Sequence, residues 1–450
     1  MKFKPSFKTK HLVFLVFSLF FIYLLHNLLY FPPRGSYDAG SHYHYARILI
    51  QERRLPIREE TVHFHNPPTW YLLGVGSILF SEKFLGVTDG HQVIKPWQMT
   101  NLFFVFASLV MWYKISQLVF KKNQFASLFF IIFLFSLPVF QRVSAMLSVE
   151  PVLMFISSLL LYLFLRHNRK PINLKQLLIF GGLLGLAMTI KITSYSFVVT
   201  FGLLLFLTVW LKDKAGLVKA VLAGGVVAAM IFLISGWFYV YKAGAYGLFT
   251  SGRIYHTRTQ PESFYFDFPI RIMLSYPIRP WIGNKFLPVM YTDFWGDQWN
   301  YFAQRRYGIS IEHLRTVDKT TVTSARLEDL ARQVRVNLFT TAIITLGFIV
   351  ITIRRLRVLI KTKLTPKSLE TLAFLFLFWV AFGGYFYFQS RAPSWDGSNI
   401  KPSHLVYIWP ILILFTTEFL FSLKKKPLFF YPLILLLLFP LGLNLWFSWF

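Results

Sequence analysis

Apolar runs about as long as a bilayer is thick recur along this chain, from residues 11–31 to residues 427–448, and they constrain its fold more than any other feature. A helix of ~20 apolar residues crosses ~30 Å of hydrocarbon, where its backbone polar groups must be satisfied within the helix. The expected fold is therefore all-α, a polytopic membrane protein. With 55% hydrophobic residues and a mean hydropathy of +0.51, the chain does not fit a soluble globular class. The 51 Phe, 22 Tyr and 13 Trp suit packing between helices and anchoring at interfaces, and call for no aromatic cofactor.

Eleven transmembrane helices are expected, at 11–31, 97–120, 125–141, 151–167, 174–190, 192–211, 217–242, 336–354, 369–388, 403–421 and 427–448. The first follows MKFKPSFKTK and lacks a small-residue cleavage pattern, so it reads as an uncleaved span. A net charge of +28 would suggest nucleic acid in a soluble protein, but here its placement explains it. With a cytoplasmic N-terminus, every short inner loop is basic: Lys2 to Lys10, Lys121 and Lys122, Arg166 to Lys175, Lys212 to Lys219, Arg354 to Lys367, and Lys424 to Lys426. Of the 19 acidic residues only Asp213, Glu370 and Glu418 fall on the inner side, so carboxylate chemistry is expected to face outward. Residues 67–84 are apolar but short. Counting them as a span would put the later basic loops outside, so they read as a re-entrant or interfacial helix opened by Pro67-Pro68. The chain is then one transmembrane domain over 1–450, capped by outer loops 32–96 and 243–335. The absence of cysteine excludes disulfides, thiolate metal sites and a Cys nucleophile, and no Gly-rich phosphate loop is present.

Several polar residues stand out against this background. Asp38 follows the first helix in a Gly/Ser turn, placed either to act as a general base or to cap an amphipathic helix over 41–54. Glu150 precedes Pro151 at a helix start, a position the helix dipole favours for a carboxylate. Lys191 interrupts an apolar stretch at an outer turn, and Lys401 precedes Pro402. Each reads as a snorkelling lysine or as a phosphate partner. His42 and His44 are two apart and face different sides of a helix, whereas His63 and His65 share a face if extended. The imidazoles read either as interfacial residues or as substrate hydrogen-bonding groups, with His42 and His65 the candidates for the latter; zinc is the less favoured third reading and no metal site is assigned. The stretch from Tyr291 to Trp299 places Asp293 and Asp297 among aromatic rings, which suits a sugar, and Asp297 is the candidate substrate ligand.

As an ordered set, these residues resemble a known family. Asp38 with His42-Tyr43-x-Tyr45-Ala46-Arg47, then His65-Asn66-Pro67-Pro68-x-x-Tyr71, is similar to the first outer loop of the GT-C membrane glycosyltransferases. The closest branch is glycosyltransferase family 39, with the protein O-mannosyltransferases and lipid A aminoarabinose transferases. Glu150-Pro151, the Lys191 turn and Ile400-Lys401-Pro402-Ser403-His404-Leu405-Val406-Tyr407 look like that family too. The resemblance implies transfer of a sugar from a polyprenyl-phosphate donor to a protein, glycolipid or glycan acceptor. The expected setting is the outer face of a bacterial plasma membrane. Asp38 and Glu150 would be catalytic, Lys191 and Lys401 would hold the leaving phosphate, and no cofactor is expected. Two departures stand against the family pattern: Asp38 is followed by Ala39 instead of a second acid, and the second-loop acid is Glu150 instead of Asp. The rival functions are a lipid-linked sugar flippase, for which Gly181, Gly182 and Gly185 lack a counterpart elsewhere, and a non-catalytic envelope assembly protein.

Overall fold

The computed structural model describes residues 7–36, 38–90, 92–168, 170–212, 216–247, 260–297, 324–361, 365–391 and 399–449. Lys2, Asp213 and Trp299, named above, lie outside the described residues, as do Lys4, Arg169, Lys214 and Lys363 of the basic loops. Every regular element described is helical. The order is α1 (Phe7–Tyr30), α2 (Ala39–Gln51), α3 (Thr69–Phe84), α4 (Lys95–Val119), α5 (Gln124–Phe135), α6 (Pro138–Ala145), α7 (Glu150–His167), α8 (Leu174–Met188), α9 (Tyr195–Leu207), α10 (Leu217–Ile231) and α11 (Trp237–Tyr246). Four short helices follow: α12 (Glu262–Phe266), α13 (Ile270–Ser275), α14 (Arg279–Ile282) and α15 (Phe286–Trp295). The chain then forms α16 (Ser324–Lys361), α17 (Pro366–Arg391), α18 (Trp409–Ser422) and α19 (Pro427–Phe447).

Among the described residues, eight helices are long and apolar enough to cross a membrane, or nine if α5 and α6 form one bent span. Helices stand at all eleven expected places, but not all as full spans. Residues 125–141 are not one straight helix: α5 and α6 meet at 65°, where Pro138 cannot continue the ladder of α5 and opens α6 instead. Helix α8 has 15 residues and α18 has 14, because residues 402–405 wind as a 3₁₀ turn led by Pro402. Residues 69–84 do form a helix, and its side chains pack on α4: a Cβ on Gly74 would meet the Trp97 ring at 2.6 Å.

One end of the bundle is tied by polar contacts between chain-distant helix ends. Asn27 Nδ2 donates to Ser448 O at 2.8 Å, and Tyr23 Oη to Leu445 O at 2.7 Å. Lys95 Nζ donates to Phe31 O at 2.8 Å, satisfying a carbonyl at the end of α1. Gln98 Nε2 reaches both Phe31 O and Ala145 O, at 3.0 and 2.6 Å. Asn337 and Asn444 exchange side-chain hydrogen bonds at 2.7 and 3.1 Å between α16 and α19. At the opposite end, buried Arg355 holds Glu418 at 2.5 Å and Glu370 at 3.1 Å, beneath the rings of Phe415 and Phe374. These are two of the three acids that the sequence places on the inner side, and each has a cation to hold it there.

Where helices approach most closely, a small residue permits it. A Cβ on Gly181 would lie 2.7 Å from Met230 Cβ, and one on Gly185 2.9 Å from Ile234 Cβ, so the Gly181-x-x-x-Gly185 ridge of α8 seats directly on the α10 span. A Cβ on Gly182 meets nothing within 4 Å. Gly185→Val should therefore destabilise the protein by about 1–3 kcal/mol, as overpacking does. Gly182→Val should leave the melting temperature of the detergent-solubilised protein nearly unchanged, and thermal melts of the two variants make the comparison.

Candidate active site

The tied end of the bundle encloses a cavity of about 330 Å³, within the range of ~300–1,000 Å³ usual for small-molecule sites. Its walls come from four chain-distant places: the first loop between Asp38 and Asn66, the end of α6 with the turn before α7, Lys191 in the turn after α8, and Phe388 with Asn399, Lys401, Ser403 and His404. Each wall brings at least one polar side chain. Asp38, Glu150, Lys191 and Lys401, separate in sequence by up to 363 positions, meet here.

Asp38 occupies the N-cap position of α2 but its side chain does not cap the helix, which corrects the capping alternative. Its backbone is left-handed, with φ 57° and ψ 14°, a conformation Asp tolerates better than most non-glycine residues. That geometry lets the main chain enter α2 while the carboxylate turns into the cavity, where Oδ2 lies 3.1 Å from Lys401 Nζ. The Lys401 ammonium holds the Asp38 carboxyl well below the usual carboxylate range, against the opposing effect of burial. Asp38 is 46% accessible and Lys401 only 11%: the carboxylate is reached through the cavity, and the ammonium is held behind it. Lys401 is fixed through its main chain. Its N–H donates to Tyr385 Oη at 2.6 Å, and its carbonyl accepts from the His404 N–H at 3.1 Å.

Glu150 begins α7, with Pro151 behind it. Its Oε1 accepts from Lys191 Nζ at 2.6 Å, and His404 Nε2 lies 3.8 Å away. Lys191 is therefore neither snorkelling nor alone: its turn leaves α8 at Met188 and sets a 3₁₀ turn, Ile192–Ser194, before α9. The same turn is bonded to the first loop, because the Thr69 N–H at the start of α3 donates to Thr189 O at 3.2 Å. His404 is buried deeply enough that its pKa is pushed down to about 3, so it stands as a neutral imidazole beside the ion pair.

The histidines divide as their spacing suggests, His42 buried and His44 exposed. His63 and His65 both line the cavity, but from a turn and not from an extended strand. His42 and His63 stack at 4.1 Å between ring centroids. Asn66 and Tyr71 hold them: Asn66 Nδ2 lies 3.2 Å from His63 Nδ1 and 3.2 Å from Tyr71 Oη, and Tyr71 Oη lies 3.1 Å from His42 Nδ1. Burial depresses the His42 pKa to about 4 and that of His63 well below the ordinary imidazole value, so both rings are neutral.

Asp297 does not join the site. It is buried 3.4 Å from Arg142 Nη1, which also binds Asp293 Oδ1 at 3.0 Å, and this cluster braces α15 against α6. None of the described residues between 243 and 335 lines the cavity, although α15 packs against the 3₁₀ turn that carries Ser403 and His404. The fourth wall instead brings Phe388, Asn399, Ser403 and His404, which sequence reasoning did not select. The available signal was the stretch from Ile400 to Tyr407, quoted above for its resemblance, in which Ser403 and His404 follow Lys401 closely; Lys401 is the N-cap of the 3₁₀ turn that carries both. Among the described residues, no three of His, Asp and Glu are grouped to hold a metal ion. No protein-family model, no curated protein and no solved structure matches this chain.

The Glu150–Lys191 pair is buried, with side chains 8% and 14% accessible, and removing one partner leaves a charge uncompensated. Lys191→Met should destabilise the protein by about 3–5 kcal/mol, and adding Glu150→Gln should recover most of that loss. Chemical denaturation in detergent of the two single variants and the double variant measures the coupling directly.

Proposed function

We propose that this protein is a glycosyltransferase that moves a sugar from a polyprenyl-phosphate donor to an acceptor at the outer face of the membrane. The observation that carries this reading is the convergence of Asp38, Lys401, Glu150, Lys191 and His404 on one cavity at a single end of an apolar helical bundle. In this reading the bundle crosses the membrane eleven times: α5 with α6 and α10 with α11 each make one crossing, α8 and α18 cross despite their length, and residues 69–84 form a half-helix beside the site. The cavity then opens to the outside of a plasma membrane, and the basic loops face the cytoplasm.

The chemistry uses groups of opposite role. The acceptor O–H or N–H gives its proton to an Asp38 oxygen, and the acceptor atom attacks the anomeric carbon. The bond from that carbon to the phosphate oxygen breaks, and polyprenyl phosphate departs with the electron pair. An ammonium has three donors, so Lys401 can hold Asp38 and a phosphate oxygen together. As the phosphate gathers charge, Lys401 stabilises it, and Lys191 adds a second positive charge fixed in place by Glu150. Sharing Lys401 with the phosphate also weakens its hold on Asp38, which raises the proton affinity of the base when the donor is bound.

Purified protein should turn over a polyprenyl-phosphate hexose, and Asp38→Asn should lose at least ~100-fold in kcat, the usual scale of a general base. Full activity in that variant would overturn the mechanism. Lys401→Met removes the charge that depresses the Asp38 pKa, so the carboxyl rises toward its ordinary ~4. The acid limb of the pH–rate profile should move to higher pH in that variant, whereas an unmoved limb assigns it to another group. A protease-accessible tag at the C-terminus should be cleaved only from outside the cell, since cleavage from the cytoplasm contradicts eleven crossings.

A further inference from the structure

The stacked pair His42 and His63 is not needed to hold a phosphate or to take the acceptor proton, yet its surroundings are specific. Asn66 Nδ2 faces both His63 Nδ1 and Tyr71 Oη. An amide nitrogen can only donate, so His63 Nδ1 accepts and its proton resides on Nε2. Tyr71 Oη, having accepted from Asn66, donates its own proton to His42 Nδ1, which places the His42 proton on Nε2 as well. A single amide thus sets both tautomers. Two neighbouring imidazoles present N–H donors from Nε2, and His63 Nε2 is buried without a hydrogen-bond partner. Both rings line the cavity that holds Asp38, and no hydrogen bond or ion pair joins either of them to its carboxylate.

We propose that His42 and His63 form the subsite for the acceptor's hydroxyl group, which accepts an imidazole N–H and gives its own proton to Asp38. This rests on the glycosyltransferase reading and narrows its acceptor to the hydroxyl class. An atom seated between these donors and that carboxylate needs both a lone pair and a proton. A phosphate or carboxylate oxygen has no proton to give and is repelled by Asp38. An amine, protonated at neutral pH, has no lone pair to accept with. A carboxamide nitrogen carries protons, but its lone pair is delocalised into the carbonyl. A hydroxyl satisfies both demands. The neutrality of the two rings, imposed by burial, keeps them as single donors that do not pull the proton of Asp38's partner toward themselves. The assigned orientation of Asn66 also agrees with its neighbour, because the opposite orientation would aim two imidazole lone pairs toward a site shared with a carboxylate.

The test uses the full chain in nanodiscs with ¹⁵N-imidazole histidine, the two resonances being identified by their loss in His42→Gln and His63→Gln. Both histidines should carry the proton on Nε2, and Asn66→Asp, which can only accept, should move both protons to Nδ1. Octyl glucoside should shift the two Nε2 resonances, while octylammonium and octyl phosphate at the same concentration should not. Nδ1-protonated rings in the unsubstituted protein, or a response to the ammonium or phosphate amphiphile equal to that of the glucoside, would overturn the subsite. These readouts do not depend on turnover, so they separate this proposal from the glycosyltransferase reading, which fails if no polyprenyl-phosphate hexose is consumed. In the active protein, Asn66→Asp should raise the KM for acceptor about tenfold, the loss of one hydrogen bond of ~1.4 kcal/mol, with the KM for donor unchanged. A rise confined to the donor KM would assign the hydroxyl to the sugar and overturn the acceptor assignment.

Discussion

A charge placed in an apolar helical bundle must meet an opposite charge, and the structure at both ends of this molecule follows from that requirement. Glu150 starts a helix whose next residues are almost all apolar, and Lys191 lies in the turn that follows another. Neither is tenable alone, and together they fix how α7 and the α8–α9 turn meet. Asp38 and Lys401 do the same for the first loop and the segment before α18, across nearly the whole chain. Arg355 gathers Glu370 and Glu418 at the far end. Each ion pair or cluster is therefore also a tertiary restraint, and the cavity is the space left among the restraints at one end.

Much of the architecture was legible because hydrophobic length and loop charge are one-dimensional properties. The positions of the helices follow from them, as does the separation of Asp38 and Glu150 from Glu370 and Glu418. What a one-dimensional reading cannot supply is which polar residue meets which. Asp38, Glu150, Lys191 and Lys401 were recognisable as costly charges, but a lone lysine in a sequence has no visible partner. Snorkelling was a reasonable alternative until Glu150 lay 2.6 Å from Lys191. Asp297 shows the converse. Its aromatic neighbours suggested a sugar, yet the decisive neighbour was Arg142, more than 150 positions earlier, which takes up the carboxylates of both Asp293 and Asp297.

Helix boundaries near the cavity were misplaced for a related reason. Residues 403–408 have the composition of a span, yet they wind as a 3₁₀ turn and further turns, so that Lys401 and His404 both face the cavity. Leu405, Val406, Tyr407 and Ile408 are all buried there, so the apolar composition serves packing within the protein. The bend between α5 and α6 has the same character: Pro138 ends one helix and begins another, and the second carries Arg142 to the brace on α15.

The left-handed backbone at Asp38 makes that position selective in two independent ways. The side chain answers to Lys401, and the main chain answers to the turn into α2. Glutamate, the nearest chemical relative, keeps the charge but is a poorer occupant of that conformation and carries the carboxylate one methylene too far. Glycine would fit the turn with ease and bring no carboxylate at all. Asparagine keeps both the shape and the turn and changes only the charge. Few positions in the chain separate backbone fitness from chemistry so cleanly, and a saturation library there would sort its members along two axes, expression reporting the turn and activity reporting the carboxylate.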